Sequence, residues 1–285
     1  MWWRFVKTES GGWKVDSGKD KKLILAVDIG NTTVAVGIFR KNGKLLSQTK
    51  FLTHSFHATT EWKKAFNQWL KNRKVDANTI ESAILCSVVP NVLPLIKAAL
   101  DGLLRVHLPP TTYHLPRIIV VGRDIKVPIV NRYKNPKQVG QDRLVNAYSG
   151  YVQYGGPLII VDFGTAVTFD VVSKKGEYLG GLITPGLEIA CQALSEKTAL
   201  LPKIKVKAPK RIIGKTTQES IQSGLFYGWG ALTEGVVAHL QKELGLAQVI
   251  LTGGQSKAMS PFIRMGHLVC PDLTLQGLYL LFRTK

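Results

Sequence analysis

One segment of this chain occurs twice. Residues 23–46 read LILAVDIGNTTVAVGIFRKNGKLL, and residues 158–179 read LIIVDFGTAVTFDVVSKKGEYL. Asp28 aligns with Asp162, and a single gap brings the glycines near the ends of the two copies into register. Each copy is an apolar run ending in Asp-x-Gly-[Asn/Thr], then a second β-rich run and a glycine turn. Because a repeated supersecondary unit decides the architecture, the sequence predicts two related halves that face one ligand.

Length and composition fit a cytoplasmic protein with a full hydrophobic core. The 285 residues, 45% of them apolar, suffice for one large or two ordinary domains of about 100–200 residues each. No uncharged apolar run approaches the ~18 residues of a membrane span, so no membrane association is expected. The three cysteines form no C-x-x-C pair, which is typical of a reduced compartment. Residues 1–22 have no apolar signal region and are predicted to be a flexible extension.

The formal net charge of +19 raises the question of nucleic-acid binding. The basic residues are dispersed, and they show no basic–aromatic or zinc-finger pattern. The densest cluster includes LPKIKVK at 201–207, where lysines alternate with Ile204 and Val206. That alternation predicts a half-exposed strand. We therefore expect no nucleic-acid partner, although a positive field attracts anionic substrates such as nucleotides.

Periodicity and turn residues predict the order β-β-β-α-β-α for the first half. HATTEWKKAFNQWLKNR, residues 57–73, has Trp62, Phe66 and Trp69 at helical spacing, which predicts a helix with a buried aromatic face. No low-complexity linker separates the halves, so we expect them to be closely joined. The other predicted elements are two strands within 23–40, strands over 44–52, 82–90 and 247–254, the repeated strand–turn–strand element from Leu158, and helices over 91–104, 141–154, 186–198 and 216–245.

The repeated turn has the chemistry of a phosphate site. Phosphate oxygens need backbone N–H donors that can approach closely, and a glycine at a tight bend supplies them. An aspartate at the strand end can hold a hydrated Mg²⁺ or another cation beside the phosphates. A single copy could be explained as an Asx turn in a hairpin, but two aligned copies favour the phosphate site. Short neutral donors follow each aspartate: Asn31, Thr32, Thr33, Thr165 and Thr168.

Two other phosphate motifs are excluded. Gly214-Lys215-Thr216 matches the end of a P-loop, but the required first glycine is replaced by Pro209. Gly228-Trp229-Gly230 begins a dinucleotide fingerprint whose third glycine is replaced by Thr233. Neither fold is therefore indicated.

Four segments in order resemble the type III pantothenate kinase family, part of the actin-like ATPase superfamily that includes acetate and sugar kinases. They are DIGNTTVAVG (28–37), YKNPKQVGQDR (133–143), DFGTAVTFD (162–170) and IGKTTQESIQSG (213–224). The resemblance implies an α/β fold of two ribonuclease H-like (actin-like ATPase) halves related by internal duplication. We place these halves at 23–139 and 140–285.

The same resemblance implies roles for individual residues, a homodimer, and ATP and pantothenate as substrates. Asp28 would lie near a hydrated Mg²⁺, Asp162 would bind a monovalent cation, K⁺ or NH₄⁺, and Asp142 would be the general base. The implied ATP-binding residues are Asp28, Ile29, Gly30, Asn31, Thr32, Thr33, Val34, Ala35 and Thr165. The implied pantothenate-binding residues are Tyr133, Gly140, Gln141, Asp142, Arg143 and, from the partner subunit, Thr217.

Elementary chemistry is consistent with these roles but leaves alternatives open. Arg143 can form a forked pair of bonds with a carboxylate, whereas an acid such as Asp142 also stabilises a helix start on its own. Gly253-Gly254 could cap a strand or let an adenosine lie against the backbone. Two other functions remain possible: a non-catalytic accessory factor for transcription, and a sugar kinase or phosphatase of the same superfamily.

Overall fold

The computed structural model describes residues 6–7, 13–14, 22–104 and 117–284. The predicted flexible extension thus lies outside the described residues, apart from Lys22 and a small antiparallel pair, β1 (Val6–Lys7) with β2 (Trp13–Lys14). Within the described ranges, no helix is both long and apolar enough to cross a membrane.

Two mixed sheets carry the fold. The first has the order β5-β4-β3-β6-β7, and the second has the order β13-β12-β9-β10-β11-β8. The strands of the first sheet are β3 (Leu23–Ile29), β4 (Thr33–Arg40), β5 (Leu45–Leu52), β6 (Ile80–Ser87) and β7 (Arg117–Val120). Those of the second are β8 (Val130–Asn131), β9 (Leu158–Phe163), β10 (Ala166–Val172), β11 (Glu177–Pro185), β12 (Gln248–Thr252) and β13 (Leu268–Val269).

Seven α-helices accompany the two sheets in the described part of the chain. Helix α1 buries Trp62, Phe66 and Trp69, which confirms the predicted aromatic face. The helices are α1 (Thr59–Asn72), α2 (Leu93–Leu104), α3 (Gln141–Tyr154), α4 (Leu187–Lys197), α5 (Thr217–Leu244), α6 (Ser256–Met259) and α7 (Leu273–Arg283).

Five strands of the second sheet repeat the arrangement of the first, and β8 is added beside β11. In each, an antiparallel three-stranded meander (β3-β4-β5 or β9-β10-β11) pairs through its first strand with a parallel strand (β6 or β12). Asp28 lies opposite Ala35, whereas Asp162 lies opposite Thr168, so the second hairpin turn is one residue shorter. The gap in the sequence alignment therefore falls in this turn.

The two sheets share a buried cluster, here called the inter-sheet core. It contains Ile24 and Phe39 from the first sheet and Ile160 from the second, together with residues of α3 and α7. Helix α7, although last in the chain, contacts β3, β4 and β6 of the first sheet. Separate clusters lie beneath α1 and α2 and beneath α4 and α5. Because α3 and α7 pack between the sheets, they fix the two strand-end aspartates relative to one another.

The prediction of a strand at LPKIKVK was wrong. Residues 201–207 form neither strand nor helix. Ile204 and Val206 do pack against the cluster beneath α4 and α5, but no neighbouring strand is paired with them. Side chains contact two backbone carbonyls of this segment instead: Gln222 Nε2 donates to the Lys205 carbonyl at 3.2 Å, and Cys191 Sγ lies 3.8 Å from the Ile204 carbonyl.

Candidate active site

The two repeated turns meet at one cleft. Thr32 Oγ1 of the first turn and Thr165 Oγ1 of the second lie 2.7 Å apart, within hydrogen-bonding distance. The cleft has a volume of about 970 Å³, including the part open to solvent. The expectation that both copies face a common site is thus matched by the geometry.

Hydrogen bonds within the first turn, residues 30–33, and from Thr53 fix its shape at the cleft. The Gly30 N–H donates to the Thr33 carbonyl at 3.0 Å, which closes the bend. Buried Thr53 then fixes it from behind, because its hydroxyl donates to the Gly30 carbonyl at 2.6 Å and its N–H donates to the Thr32 carbonyl at 3.0 Å. Because these carbonyls already accept hydrogen bonds, N–H and hydroxyl donors of the turn remain for an anion. Such an arrangement suits phosphate.

The predicted ATP-binding residues divide into two groups. Ile29 and Val34 are fully buried in the core beneath α1 and α2, so only their backbone could serve a ligand. The others line the cleft: Asp28, Gly30, Asn31, Thr32, Thr33, Ala35 and Thr165.

Three carboxylates converge in the cleft, and burial raises the pKa of each. Burial, followed by repulsion from Asp142 and Asp162, raises the pKa of Asp28 to about 8. Burial and repulsion from Asp142 likewise raise the pKa of Asp162 to about 7. Burial also raises the pKa of Asp142, against the lowering effect of the Arg143 backbone N–H. Bound cations would relieve this repulsion, so the donor set fits a cation site.

This donor set suits a hydrated ion better than a bare one. Among the described residues, no three His, Cys, Asp or Glu side chains are close enough to hold a metal by themselves. Mg²⁺ usually keeps several waters and uses only one or two carboxylates together with phosphate oxygens. One carboxylate per turn therefore matches the way Mg²⁺ binds beside a nucleotide.

Asp162 is positioned by residues far away in sequence. Asn146 on α3 donates to Asp162 Oδ2 at 3.0 Å, and its own amide oxygen accepts from the Thr274 hydroxyl at 2.7 Å. Gly253, with a φ of +89°, leaves room for this carboxylate, since a Cβ there would lie 2.2 Å from Asp162 Oδ1. The carboxylate is thus fixed by α3, α7 and the turn after β12.

Asp142 and Arg143 lie in the first turn of helix α3, at the edge of the cleft. Arg143 Nε pairs with Asp170 Oδ1 at 2.7 Å, and Tyr178 donates to the same oxygen at 2.9 Å. Both charges are nearly enclosed, with 11% of the Arg143 side chain and none of Asp170 exposed. Arg143 Nη2 is buried and finds no acceptor in the described part of the chain. A buried guanidinium N–H without a partner is costly, so a ligand oxygen is the natural acceptor.

The remaining predicted substrate residues lie near Asp142 or further away. Gly140 precedes it, and a Cβ at Gly140 would lie 2.4 Å from Asp142 Oδ1. Gln141 packs against the turn at Gly122, and the Tyr133 ring lies beside Gly180. Thr217 starts α5 and lines an apolar pocket between α4 and α5, away from the cleft of its own chain.

Sequence reasoning assigned no role to several polar residues of this site. The segment DFGTAVTFD contains Asp170, yet its pairing with Arg143 depends on tertiary contacts. For Lys50, the pairing of the β4–β5 hairpin was a usable signal. This pairing places Lys50, on β5, opposite Ala35, on β4. No local pattern marked Asn146 or Thr274.

Comparison with solved structures defines the class of fold. The chain is similar to the ethanolamine utilization protein EutJ from Carboxydothermus hydrogenoformans (TM-score 0.52, 14% identity, 90% of this chain and 89% of that chain covered). It is also similar to component A of (R)-2-hydroxyglutaryl-CoA dehydratase from Acidaminococcus fermentans (TM-score 0.50, 12% identity, 92% and 97% covered). These likenesses show the fold alone, a mixed α/β architecture with two sheets, which agrees with the fold class that the sequence predicted.

Comparison with sequences then identifies the family. Residues 24–239 match the family model described as type III pantothenate kinase. A type III pantothenate kinase from a Sulfurihydrogenibium species (strain YO3AOP1) is 41% identical over 260 residues, covering 91% of this chain and 99% of the relative. One from Persephonella marina is 39% identical, with 90% and 97% covered. The chain belongs to the type III pantothenate kinase family.

Proposed function

We propose that the chain catalyses ATP-dependent phosphorylation of pantothenate to 4′-phosphopantothenate, the first step of coenzyme A biosynthesis. Membership of the family supports this activity. The meeting of both glycine turns at one acidic cleft supports binding of a nucleotide phosphate chain there.

The observation that carries the choice of acceptor is the unpartnered Arg143 Nη2 beside Asp142. Pantothenate has a carboxylate at one end and a primary hydroxyl at the other. A guanidinium N–H suits the carboxylate, and Tyr133, Gly140 and Gln141 complete the proposed acceptor site. Arg143 cannot bind a carboxylate at two points through Nε and Nη2, because Nε is already paired with Asp170.

Asp142 is the proposed general base for the primary hydroxyl. Its pKa is raised by burial, which makes the carboxylate a stronger proton acceptor than a solvated aspartate. Phosphoryl transfer depends mainly on positioning and charge neutralisation. A base of modest strength therefore suffices when the hydroxyl is held in line with the γ-phosphate.

Two cations complete the proposal. Asp28 would hold Mg²⁺ through water, and Asp162 would hold K⁺ or NH₄⁺, with Thr165 contacting ATP. When bound, these ions supply charge neutralisation for the phosphates. The raised pKa of both carboxyls supports this assignment, since a site that disfavours two bare negative charges favours cations.

The proposed assembly is a cytoplasmic homodimer in which Thr217 reaches the acceptor site of the partner subunit. Thr217 lines the apolar pocket between α4 and α5, and exposed apolar side chains such as Ile189 and Ile213 lie on the same half. A second copy would cover these side chains. Light scattering of the full chain measures this state, and a monomer at working concentration would contradict it.

An acceptor screen tests the activity. Purified protein is given ATP and Mg²⁺, with and without K⁺, and offered pantothenate or a panel of sugars. We expect ADP and phosphopantothenate from pantothenate alone, with faster turnover in K⁺. Phosphorylation of a sugar instead would move the chain to another activity of the superfamily. Salt-sensitive retention on DNA without ATP turnover would favour the accessory role.

The Asp142→Asn variant tests the base. The amide keeps the size of the side chain but cannot accept the proton, so kcat is expected to fall by about 10²–10⁴-fold. Steady-state kinetics and circular dichroism separate this effect from misfolding. Normal turnover by a folded variant would remove Asp142 from the mechanism.

A further inference from the structure

A row of three residues crosses the first sheet beside the cleft. Asp28 on β3 lies opposite Ala35 on β4, and Ala35 lies opposite Lys50 on β5. Residues directly opposite one another in antiparallel strands project from the same face. Lys50 therefore shares its face with Asp28, at a distance of two strand spacings, or about 10 Å between Cα atoms.

The small side chain between them lets Lys50 reach over the cleft. Ala35 has only a methyl group, so the lysine stem can lean across β4. The ammonium ends beside the turn after β12 of the other sheet, because a Cβ at Gly254 would lie 3.1 Å from Lys50 Nζ. Lys50 thus extends from the first sheet towards the second, and it lines the cleft together with residues of both turns.

Lys50 is also the uncommitted positive charge of the cleft. Of the described residues that line it, four are acidic and only Lys50 and Arg143 are basic. Arg143 is already paired with Asp170. No carboxylate in the described ranges lies within ion-pairing distance of Lys50, and no described group hydrogen-bonds to it. A flexible ammonium in this position is free to meet an anion.

The second half has no equivalent charge. Its matching row runs from Asp162 to Thr168 on β10 and then to Ile183 on β11. Ile183 is exposed and cannot neutralise a phosphate. Among the described residues, Lys50 therefore has no basic counterpart at the matching position of the second sheet.

We propose that Lys50 contacts the phosphate chain of ATP and neutralises the γ-phosphoryl group during transfer, an inference that rests on the proposed function. In this step the acceptor hydroxyl oxygen forms a bond to the γ-phosphorus while the bond from that phosphorus to the β–γ bridging oxygen breaks. The hydroxyl proton passes to Asp142, and ADP leaves. Lys50 exchanges no proton and forms no covalent bond. Its ammonium offsets the charge on the oxygens of the moving group.

The test compares Lys50→Met with Lys50→Arg, and uses Lys44→Met, an exposed lysine just before the same strand, as the matched control. Lys50→Met is expected to lower kcat by about 10²–10³-fold. The arginine variant should restore most of the rate, and Lys44→Met should match wild type. Melting temperatures confirm that each variant folds.

A binding measurement separates this inference from the proposed activity. Calorimetry gives the affinities for Mg-ATP and for AMP, and Lys50→Met should weaken Mg-ATP by about tenfold or more while sparing AMP. If the wild-type protein does not phosphorylate pantothenate, the proposed activity is wrong. The ratio of the Mg-ATP affinity to the AMP affinity still tests the role of Lys50. An unchanged Mg-ATP to AMP ratio, or a Lys50→Met rate within about threefold of wild type, would overturn it.

Discussion

The strand-end aspartates of the two sheets have the same backbone position but different neighbours. Asp28 lies between buried Cys86 on one side and Ala35 on the other, with Lys50 beyond. Asp162 lies between Thr252 and Thr168, and its carboxylate accepts from Asn146. One aspartate thus shares its face of the sheet with a lysine, and the other is held by a neutral amide. The duplicated unit kept its aspartate and changed what surrounds it.

If the copies differ in function, removing each carboxylate should have a different result. Asp28→Asn is expected to lower kcat by about 10²–10³-fold and to raise the Mg²⁺ concentration needed, because it removes the charge nearest the phosphates. Asp162→Asn should abolish stimulation by K⁺ while leaving the Mg²⁺ requirement unchanged. Titrating each ion against initial rate checks both. Identical ion profiles for the two variants would show that the copies act alike.

The hydrogen bond that is specific to the second copy offers a narrower test. Asn146→Ala removes the amide that orients Asp162, and loss of such an outer partner weakens metal binding by about 10–100-fold. The K⁺ concentration for half-maximal activity should rise accordingly, and Thr274→Val, one bond further out, should give a smaller rise. If Asn146→Ala changed the Mg²⁺ dependence and left activation by K⁺ normal, Asn146 would act on the Asp28 site and not on the Asp162 site.

The smallest expected effect concerns stability without ligands. A carboxyl whose pKa is higher in the folded state favours folding at low pH, and the advantage is lost as pH rises through the folded value. With the pKa of Asp28 raised from 3.8 to about 8 and that of Asp162 to about 7, the melting temperature should fall across that window.

Two variants test this effect of pH on the melting temperature. Asp28→Asn should flatten the fall more than Asp162→Asn, by about 2–4 °C at the upper end for each kcal/mol recovered. Scanning calorimetry at constant ionic strength measures the curves. Parallel curves for wild type and both variants would mean that neither carboxyl titrates between the folded and unfolded states.

Features encoded locally were predictable from the sequence. The Asp-x-Gly turns and the aromatic spacing of α1 each depend on a few adjacent residues, and both agree with the structure. The strand at LPKIKVK was wrong because alternation shows which side chains are buried but not whether a neighbouring strand is available. The link from Asn146 to Thr274 joins residues 128 positions apart, which no local pattern can indicate. Lys50 needed the register of three strands.

The inter-sheet core has a consequence for how such a molecule can evolve. Ile24 and Phe39 from one copy, Ile160 from the other, and Leu278 from the last helix lie in one buried cluster. A change in the volume of any of them is felt by both halves, since packed interiors tolerate little rearrangement. Neither copy can be lost, exchanged or transplanted alone without uncovering the other. The two copies therefore depend on one shared core.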